Sequence, residues 1–377
     1  MTDTTGTEPH RALDDAGLPT DRPRTVGRRI VSGLFSYGLV ALAVWYLLTN
    51  LQTGEWTSAM ALVTGPMLVV SVVLGVVNLA TNWPPIVVAL PGLQVREAAV
   101  TNTAGAALSN TVPEGGAVAT GLNYAMLRSW GFTLGDTTSE VLVTGTWSQM
   151  TKYILLAVGL VAVVLQGWGP VGLEWVALGL VVLVGVAIVL LTLILRSDAF
   201  AARLGAWCDR VIARVRRRVP RIPDPGLDEG LPLFRTQMVT LLRLCWGRLT
   251  ATMLVSQLMV VLVLGVCVRM QGLDESTISW AVILVAWGLV TFASLLIPTP
   301  GGLGVAEVVL VAVLGHGLPQ SDEAAVLAAV LLYRIATFLV PIPIGLVTYL
   351  YWRKSTAWRQ PVNSRGPSAG DVQPAAT

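Results

Sequence analysis

The chain has 377 residues, of which 54% are hydrophobic and 12% charged, and its formal net charge is +3. A soluble domain carries about 25% charged residues, so this composition excludes an ordinary water-soluble globular protein. A helix needs about 20 apolar residues to cross the hydrocarbon core, and the Val/Leu-rich runs lack the alternation of a β-barrel. We therefore predict an all-α integral membrane protein. The charge-free stretches that carry this prediction are Ile30–Gln52, Thr57–Val95, Trp175–Leu195 and Leu249–Val268.

The chain begins with a polar segment, residues 1–29, which predicts a disordered cytoplasmic tail. The first apolar run, Ile30–Leu48, has no small-x-small cleavage site after it, so we expect a retained span rather than a signal peptide. Residues 355–377 predict a second disordered tail. The transmembrane domain is accordingly expected at 30–354.

Positive charge predicts the orientation, since arginine and lysine concentrate on the cytoplasmic side. Arginines precede the first span, and Arg353 and Lys354 follow the last, so both termini are expected in the cytoplasm. Residues 196–248 contain eleven arginines and predict a cytoplasmic loop. Such a loop is attracted to anionic headgroups, and nucleic-acid binding is not expected. These features predict a multi-pass protein of the cell membrane.

The first half of the chain predicts a re-entrant hairpin. Spans at about Ala59–Ala80 and Thr137–Leu165, followed by one at Leu173–Leu195, leave Ala98–Leu127 with both ends on the cytoplasmic face. Each of its arms is about half a bilayer long. The sequence N-T-V-P-E-G-G at its middle predicts a tip formed by Pro113, Gly115 and Gly116.

The second half repeats this pattern in the opposite direction. A span at Leu249–Val268 and a last span at Ala324–Trp352 leave Thr277–His316 with both ends outside. Its middle is P-T-P-G-G-L-G-V-A-E, residues Pro298–Glu307, which predicts a second hairpin from the other face. The chain is thus expected to have about six full spans plus two re-entrant hairpins.

An offset of 186 positions superposes these elements without gaps and gives 8 identities between 115–161 and 301–347. The matched spans run in opposite directions by the charge rule. They predict inverted-topology repeats, repeat 1 at about 59–165 and repeat 2 at about 249–352, as in many secondary transporters. The alternative is that a duplicated Pro-Gly-Gly breaker kinks two ordinary spans.

Four motifs resemble the flippase-like, lysylphosphatidylglycerol-synthase transmembrane-region family over about residues 30–354. The resemblance implies a polytopic protein that moves lipids or lipid-linked groups between leaflets. Glu114 stands where family members often have arginine, and Gly145–Met150 lacks the acidic-basic pair of the family, so the headgroup preference is open. No synthase domain is expected in the tail after Lys354. The motifs are Asn110–Ala119, Tyr124–Gly131, Pro298–Glu307 and Leu332–Gly345.

Two cations, Lys152 and Arg334, are expected near the centres of repeat-matched spans. A cation at this depth costs about 2.5–3.5 kcal/mol on insertion scales and usually faces a cavity or a partner. We expect both to engage an anionic lipid phosphate. The alternative is internal neutralisation by acids; the candidates are Glu307, Glu140 and Glu174.

Further candidates surround the two Gly-Gly motifs. Glu307 is expected to be the counter-ion of Arg334, with proton coupling as its alternative role. Glu114 has a related role or faces solvent. The glycines allow either close approach to a ligand or tight helix packing. The remaining substrate-binding candidates are Asn110, Asn123, Tyr333, Gly115, Gly116, Gly301 and Gly302.

These observations predict a lipid flippase-like transporter for an anionic phospholipid or a polyprenyl-phosphate-linked group. No nucleophile, metal-ligand or nucleotide-binding pattern is apparent, so we expect no catalytic residue, metal or cofactor. Two alternatives stay open: a membrane-embedded lipid headgroup transferase, and a non-transporting partner of a glycosyltransferase or synthase. The expected partner of the transporter is the anionic lipid itself.

Overall fold

The computed structural model describes residues 53–112, 115–169, 172–197, 199–200, 203, 206, 227–296, 299–355, 358 and 360. Within these ranges the regular structure is entirely helical, which confirms the predicted all-α class. The helices are α1 Thr53–Leu62, α2 Gly65–Thr81, α3 Trp83–Ala89, α4 Val95–Thr111, α5 Gly115–Ser129, α6 Leu134–Leu165, α7 Leu173–Arg196, α8 Leu227–Met270, α9 Trp280–Leu296, α10 Val305–Leu314, α11 Gln320–Arg334 and α12 Pro341–Lys354.

Five helical stretches among the described residues are long and apolar enough to cross a membrane. The chain is therefore a multi-pass membrane protein, as its composition predicted. The predicted first span, Ile30–Leu48, lies outside the described residues, so the count of six remains a prediction. The five stretches are Gly65–Ala89, Leu134–Leu165, Leu173–Ile194, Cys245–Met270 and Gln320–Lys354.

Two boundaries differ from the sequence prediction. The span expected at Ala59–Ala80 is instead Gly65–Ala89, because Asn82 keeps a helical backbone and the prolines after Trp83 occupy the first turn of α3. A proline there lacks only an N–H that has no helical partner anyway. In addition, α8 begins at Leu227, so the last part of the predicted Arg-rich loop is helical.

The first predicted hairpin is a pair of helices, α4 and α5, that pack against each other. At the start of α4 the Glu97 carboxylate accepts from the Gln94 N–H over 3.0 Å, and the Glu97 N–H donates to the Gln94 backbone carbonyl. At the start of α5, a Cβ on Gly115 would lie 2.7 Å from the carbonyl oxygen of Leu108. Only glycine lets the second arm begin this close to the first.

The second predicted hairpin is formed by α9, a short 3₁₀ turn at Pro300–Gly302, and α10, and its two arms also pack together. Gly301, Gly302 and Gly304 have φ values of +54°, +69° and +80°. These left-handed conformations are readily adopted only by glycine. The Gly-Gly sequence therefore allows the chain to reverse direction between the arms.

Element boundaries recur at the offset that the sequence predicted. Helix α6 starts at Leu134 and α11 at Gln320, which are 186 positions apart. The packing is reciprocal, because α4 lies against α12 and α9 lies against α6. The repeat-matched glycines Gly345 and Gly159 lie at these two contacts, where an added Cβ would meet Thr103 and Leu284 respectively. The first hairpin thus packs against α12, and the second hairpin packs against α6.

The protein core lies mainly between α6, α8, α9, α10 and α11, where buried side chains such as Leu156, Leu264, Ile283 and Leu310 form one cluster. A second cluster joins the α4–α5 hairpin to α12. Helix α7 stands at the periphery, since few of its side chains are buried inside the protein although the helix is strongly apolar. An exposed face of this kind is suited to lipid contact.

Candidate functional site

A cavity of about 440 Å³ lies on one face of the α4–α5 hairpin, enclosed by that hairpin, α6, α8 and the junction of α2 and α3. Eleven of its twenty lining residues are polar. Polar residues within spanning segments are expensive and commonly mark a substrate or ion pathway. The polar lining residues are Asn82, Thr101, Asn102, Ser109, Thr120, Asn123, Glu140, Thr144, Ser148, Ser256 and Gln257.

Three buried polar atoms of this lining have no hydrogen-bond partner among the described residues: Thr101 Oγ1, Asn102 Oδ1 and Asn123 Oδ1. Thr101 is only 4% exposed. A buried polar group without a partner costs about 1–3 kcal/mol, so such groups are normally satisfied by water or a ligand. The cavity is therefore built to hold a polar group.

Glu140 is the single ionisable side chain among the described residues that line the cavity, and it is 2% exposed. Asn123 Nδ2 donates to Glu140 Oε2 over 3.0 Å, and the Thr144 hydroxyl shares its proton between the Glu140 backbone carbonyl at 2.8 Å and Oε1 at 3.2 Å. No described cation lies within ion-pair distance of this carboxylate. The cavity thus contains a carboxylate held by two neutral donors.

Hydrogen bonds connect the helices on the far side of the cavity. Ser256 Oγ donates to Asn82 Oδ1 over 2.8 Å, and Gln257 Nε2 donates to Ser148 Oγ over 3.4 Å. These contacts tie α8 to the α2–α3 junction and to α6. Lys152 follows Ser148 by four residues, so it lies one turn further along the same face of α6.

A second space, an apolar groove of about 760 Å³, lies between the α4–α5 hairpin and α12. Its lining includes Ala104, Ala107, Leu122 and Leu346. Two faces of α4 line the two spaces: Thr101, Asn102 and Ser109 lie at the cavity beside two small residues, and mostly apolar residues lie at the groove. The hairpin is therefore amphipathic, with a polar face and an apolar face.

Arg334 is held by the second hairpin. Its Nε donates to Glu307 Oε1 over 2.7 Å, its terminal nitrogen donates to the Gly301 carbonyl over 3.1 Å, and its guanidinium lies 4.8 Å from the centre of the Phe338 ring. The side chains of the ion pair are 13% and 15% exposed. The second oxygen of Glu307 accepts from the Gly304 N–H over 2.7 Å. These contacts connect the end of α11 to the tip of the second hairpin and to α10.

The first hairpin reaches the same place. Asn110, at the end of α4, donates through Nδ2 to the carbonyl oxygen of Phe338 over 3.0 Å. Phe338 belongs to a π-helical segment, Ile335–Leu339, and such segments are frequent at functional sites. A Cβ on Gly301 would lie 3.0 Å from Asn110 Oδ1. The end of α4 and the tip of the second hairpin thus meet beside Arg334.

The structure brings together four of the predicted site residues, Arg334, Glu307, Asn110 and Gly301, with Gly302 next to them. Two more belong to the first hairpin: Gly116 lines the polar cavity and Gly115 packs against α4. Glu114 lies outside the described residues.

Lys152 and Tyr333 are separate from that cluster. Lys152 has no hydrogen bond or ion pair with a described residue. Tyr333 is buried in the main core cluster, where its backbone carbonyl accepts from the Thr337 hydroxyl. Neither side chain is in contact with the Arg334–Glu307 pair through a hydrogen bond.

Sequence reasoning missed most of the polar cavity, although it named Asn123 and Glu140. A usable signal was present: Glu140, Thr144 and Ser148 recur every four residues within an otherwise apolar span. The α4 contribution, Thr101 and Asn102, had no such signal. Its segment was expected to be a hairpin arm, and only packing decides which side of that arm faces a cavity.

The fold and the site define a polytopic, all-helical membrane protein with a polar cavity among its spanning helices. Residues 30–345 match the family described as the lysylphosphatidylglycerol synthase TM region, which covers more than half of the chain. The chain therefore belongs to this family, and the resemblance that the four motifs indicated is confirmed. No curated protein compared with the chain matches it.

Proposed function

We propose that the protein is a lipid flippase-like transporter. One observation carries this proposal: a polar cavity and an apolar groove lie on opposite faces of one helical hairpin. A lipid needs both environments at once, because its headgroup must stay solvated or hydrogen-bonded while its chains stay in an apolar medium. Membership of a family named for lipid synthesis supports a lipid as the cargo.

The cargo that we propose is an anionic phospholipid or a polyprenyl-phosphate-linked group. Lys152 supports it, since this cation lies one turn beyond the cavity residue Ser148 and is unpaired within the described part of the chain. An ammonium group attracts phosphate as a compact point charge. Arg334 is the second phosphate candidate, but in this conformation its guanidinium is occupied by Glu307 and Gly301.

Alternating access between inverted repeats is the proposed mechanism. Arg334 and Ser148 are 186 positions apart and so are equivalent in the two repeats. Ser148 lines the cavity beside the first hairpin, whereas Arg334 bridges from its span to the tip of the second. This asymmetry supports one accessible and one closed half. We propose re-entrant hairpins, with both termini in the cytoplasm.

Purified protein in phosphatidylcholine vesicles that contain fluorescent phosphatidylglycerol tests the proposal. Exposure of the probe to an external quencher measures its movement between leaflets. We expect wild-type protein to accelerate this movement. We expect Lys152→Met and Arg334→Ala to abolish it while both variants still insert into the membrane.

The matched control is Lys354→Met, which removes the only other lysine of the chain at the end of α12. It is expected to transport like wild type. Wild-type protein that leaves the probe in its original leaflet would contradict the proposal. The same vesicles, supplied with an aminoacyl or glycosyl donor, would then report whether the headgroup is modified, which is the transferase alternative.

A further inference from the structure

The carboxylate of Glu140 has surroundings that differ from those of the Arg334–Glu307 ion pair. Arg334 is neutralised by Glu307, whereas Glu140 receives hydrogen bonds only from a neutral amide and a neutral hydroxyl. A buried charge without a counter-ion is costly, and a carboxylate can avoid that cost by binding a proton. Its position at a cavity gives water and protons a route to it.

The cavity also contains acceptors for that proton's hydrogen bond. Asn102 Oδ1 and Asn123 Oδ1 are buried and have no donor among the described residues. The Asn123 amide is oriented by its own contact, because its Nδ2 donates to Glu140 and its oxygen is thus left unpaired. A protonated Glu140 carries an O–H group that can donate a hydrogen bond to one of these amide oxygens, directly or through a water molecule. The cavity therefore contains hydrogen-bond donors for the ionised carboxylate and acceptors for the protonated carboxyl.

The charged and titratable groups on neighbouring elements do not line this cavity. Helices α3 and α9, which pack against α6, contain none. Asp136, one turn before Glu140, is occupied by the cap of α6, where it accepts from the Thr133 N–H and hydroxyl. Among the side chains that the structure describes, the other titratable or charged groups on the helices around α6 and the cavity are Arg96, Glu97, Tyr124, Arg128, Lys152, Tyr153, Glu174, Arg196, Cys245, Arg248, Cys267 and Arg269.

We propose that Glu140 is a proton-binding site that couples lipid movement to a proton gradient, an inference that rests on the proposed transport function. A proton from the water on one side binds a carboxylate oxygen of Glu140, and the same proton leaves to water on the other side. The neutral carboxyl permits the cavity to close against apolar helices, because no uncompensated charge is then buried. The ionised carboxylate favours the hydrated cavity.

The test uses the same vesicles with a pH gradient of about one unit, which corresponds to about a tenfold ratio of proton activity. For wild type we expect the initial transport rates to differ between the two gradient directions, and the equilibrium distribution of the lipid between leaflets to shift by up to about tenfold if one proton moves with one lipid. Glu140→Gln, which imitates the neutral carboxyl, is expected to give equal rates in both directions while still moving lipid without a gradient. Glu140→Asp restores the response.

Glu97→Gln is the matched control, since Glu97 is also 2% exposed and lies on the hairpin, but at the start of α4 and outside the cavity lining. It is expected to respond like wild type. A second readout needs no variant: a pH-sensitive dye inside wild-type vesicles should report proton movement when a lipid gradient is imposed.

The outcomes separate the two proposals. If wild-type protein moves no lipid, the transport function fails and the coupling fails with it. If wild-type protein moves lipid at equal rates in both gradient directions, or if Glu140→Gln responds like wild type, the coupling alone is overturned. Loss of gradient-free movement in folded Glu140→Gln overturns it too, because the carboxylate would then serve the headgroup directly.

Discussion

At the scale of single residues, Arg334 illustrates how a membrane protein neutralises an ion. Its guanidinium has a carboxylate, a backbone carbonyl and an aromatic ring as partners, and all three come from the second hairpin or the π segment. The partner was predictable because ionisable residues are so scarce in the spanning segments that Glu307 was a leading acid for Arg334. The hydrogen bond from Arg334 to the Gly301 carbonyl was not predictable, because the position of this carbonyl depends on the fold of the hairpin tip.

Removing this arginine should destabilise the fold. Arg334→Ala leaves Glu307 buried without its counter-ion, which costs about 3 kcal/mol or more in the free energy of unfolding. Glu275→Ala is the control, because it also removes an Arg–Glu ion pair, but the side chains of Arg269 and Glu275 are 25% and 59% exposed. That variant is expected to lose at most about 1 kcal/mol.

Denaturant titration in detergent micelles measures both losses. Equal losses for Arg334→Ala and Glu275→Ala would contradict the interpretation that burial, rather than the ion pair itself, sets the energy. The comparison also controls the transport experiment, since it shows how much of an Arg334→Ala defect comes from instability.

At the scale of elements, close helix contacts hold the two hairpins in place. At Gly345 an added Cβ would collide with the backbone carbonyl of Thr103 and with the Cβ of Ala107. At the repeat-matched Gly159 the nearest atoms, at 3.1 Å, are side-chain carbons of Leu284 and Val285. Backbone is less able to move aside than a flexible side chain. An added methyl group should therefore be accommodated less well at Gly345 than at Gly159.

A series of glycine-to-alanine variants tests this difference. We expect Gly345→Ala to lower the free energy of unfolding by about 1–3 kcal/mol, as in other overpacked contacts. Gly159→Ala should have a smaller effect. Gly179→Ala, on the peripheral α7 with nothing within 4 Å of an added Cβ, should be neutral or stabilising, since alanine favours helix over glycine.

Thermal unfolding in micelles ranks the three variants. The order Gly345, Gly159, Gly179 from most to least damaging is the expected result. A Gly345→Ala variant as stable as Gly179→Ala would show that α12 can move away from α4, and the reciprocal packing would then not be a fixed feature of the fold.

At the scale of the whole molecule, the two halves share one helix start at the offset of 186 positions and one reciprocal pair of helix contacts. Helices α6 and α11 start at equivalent positions, and each hairpin packs on the last span of the other half. The halves differ in their polar groups, with a cavity at Ser148 in one and the Arg334 bridge in the other. An alternating mechanism requires two similar frames with different polar contacts.

The topology itself is a testable prediction. In a chain whose natural cysteines are replaced by serine, single cysteines are introduced at exposed positions that flank the hairpins. We expect Gln94→Cys and Leu134→Cys to react with an impermeant reagent from the cytoplasmic side, because both ends of the α4–α5 hairpin belong there. We expect Gln166→Cys and Ser276→Cys to react from the outside.

Labelling in inside-out and right-side-out vesicles gives the two readouts, and each variant serves as the control for the others. If Gln94→Cys and Leu134→Cys react from opposite sides, the α4–α5 hairpin crosses the membrane completely. The inverted-repeat interpretation and the transport route proposed from it would then both be wrong.

The sequence by itself determined the all-helical membrane class of the protein, the approximate spans from α6 to α12 and the glycine turn between α9 and α10. Hydrophobic length and glycine conformation are local properties, so a single segment is enough to predict them. The continuation of the span to Ala89 and the extension of α8 from Leu227 were missed, because helices continue through polar or proline-containing segments when neighbours support them.

Only the tertiary structure decided which polar residues share a space. Thr101, Asn123 and Glu140 come from three helices and line one cavity, whereas Lys152, predicted to join Arg334, is separate from the Arg334–Glu307 pair. Such groupings depend on how helices rotate about their axes and how closely they approach, and both follow from side-chain packing between distant parts of the chain. Neither the composition of the chain nor its hydrophobic periodicity contains information about helix rotation or interhelical distance.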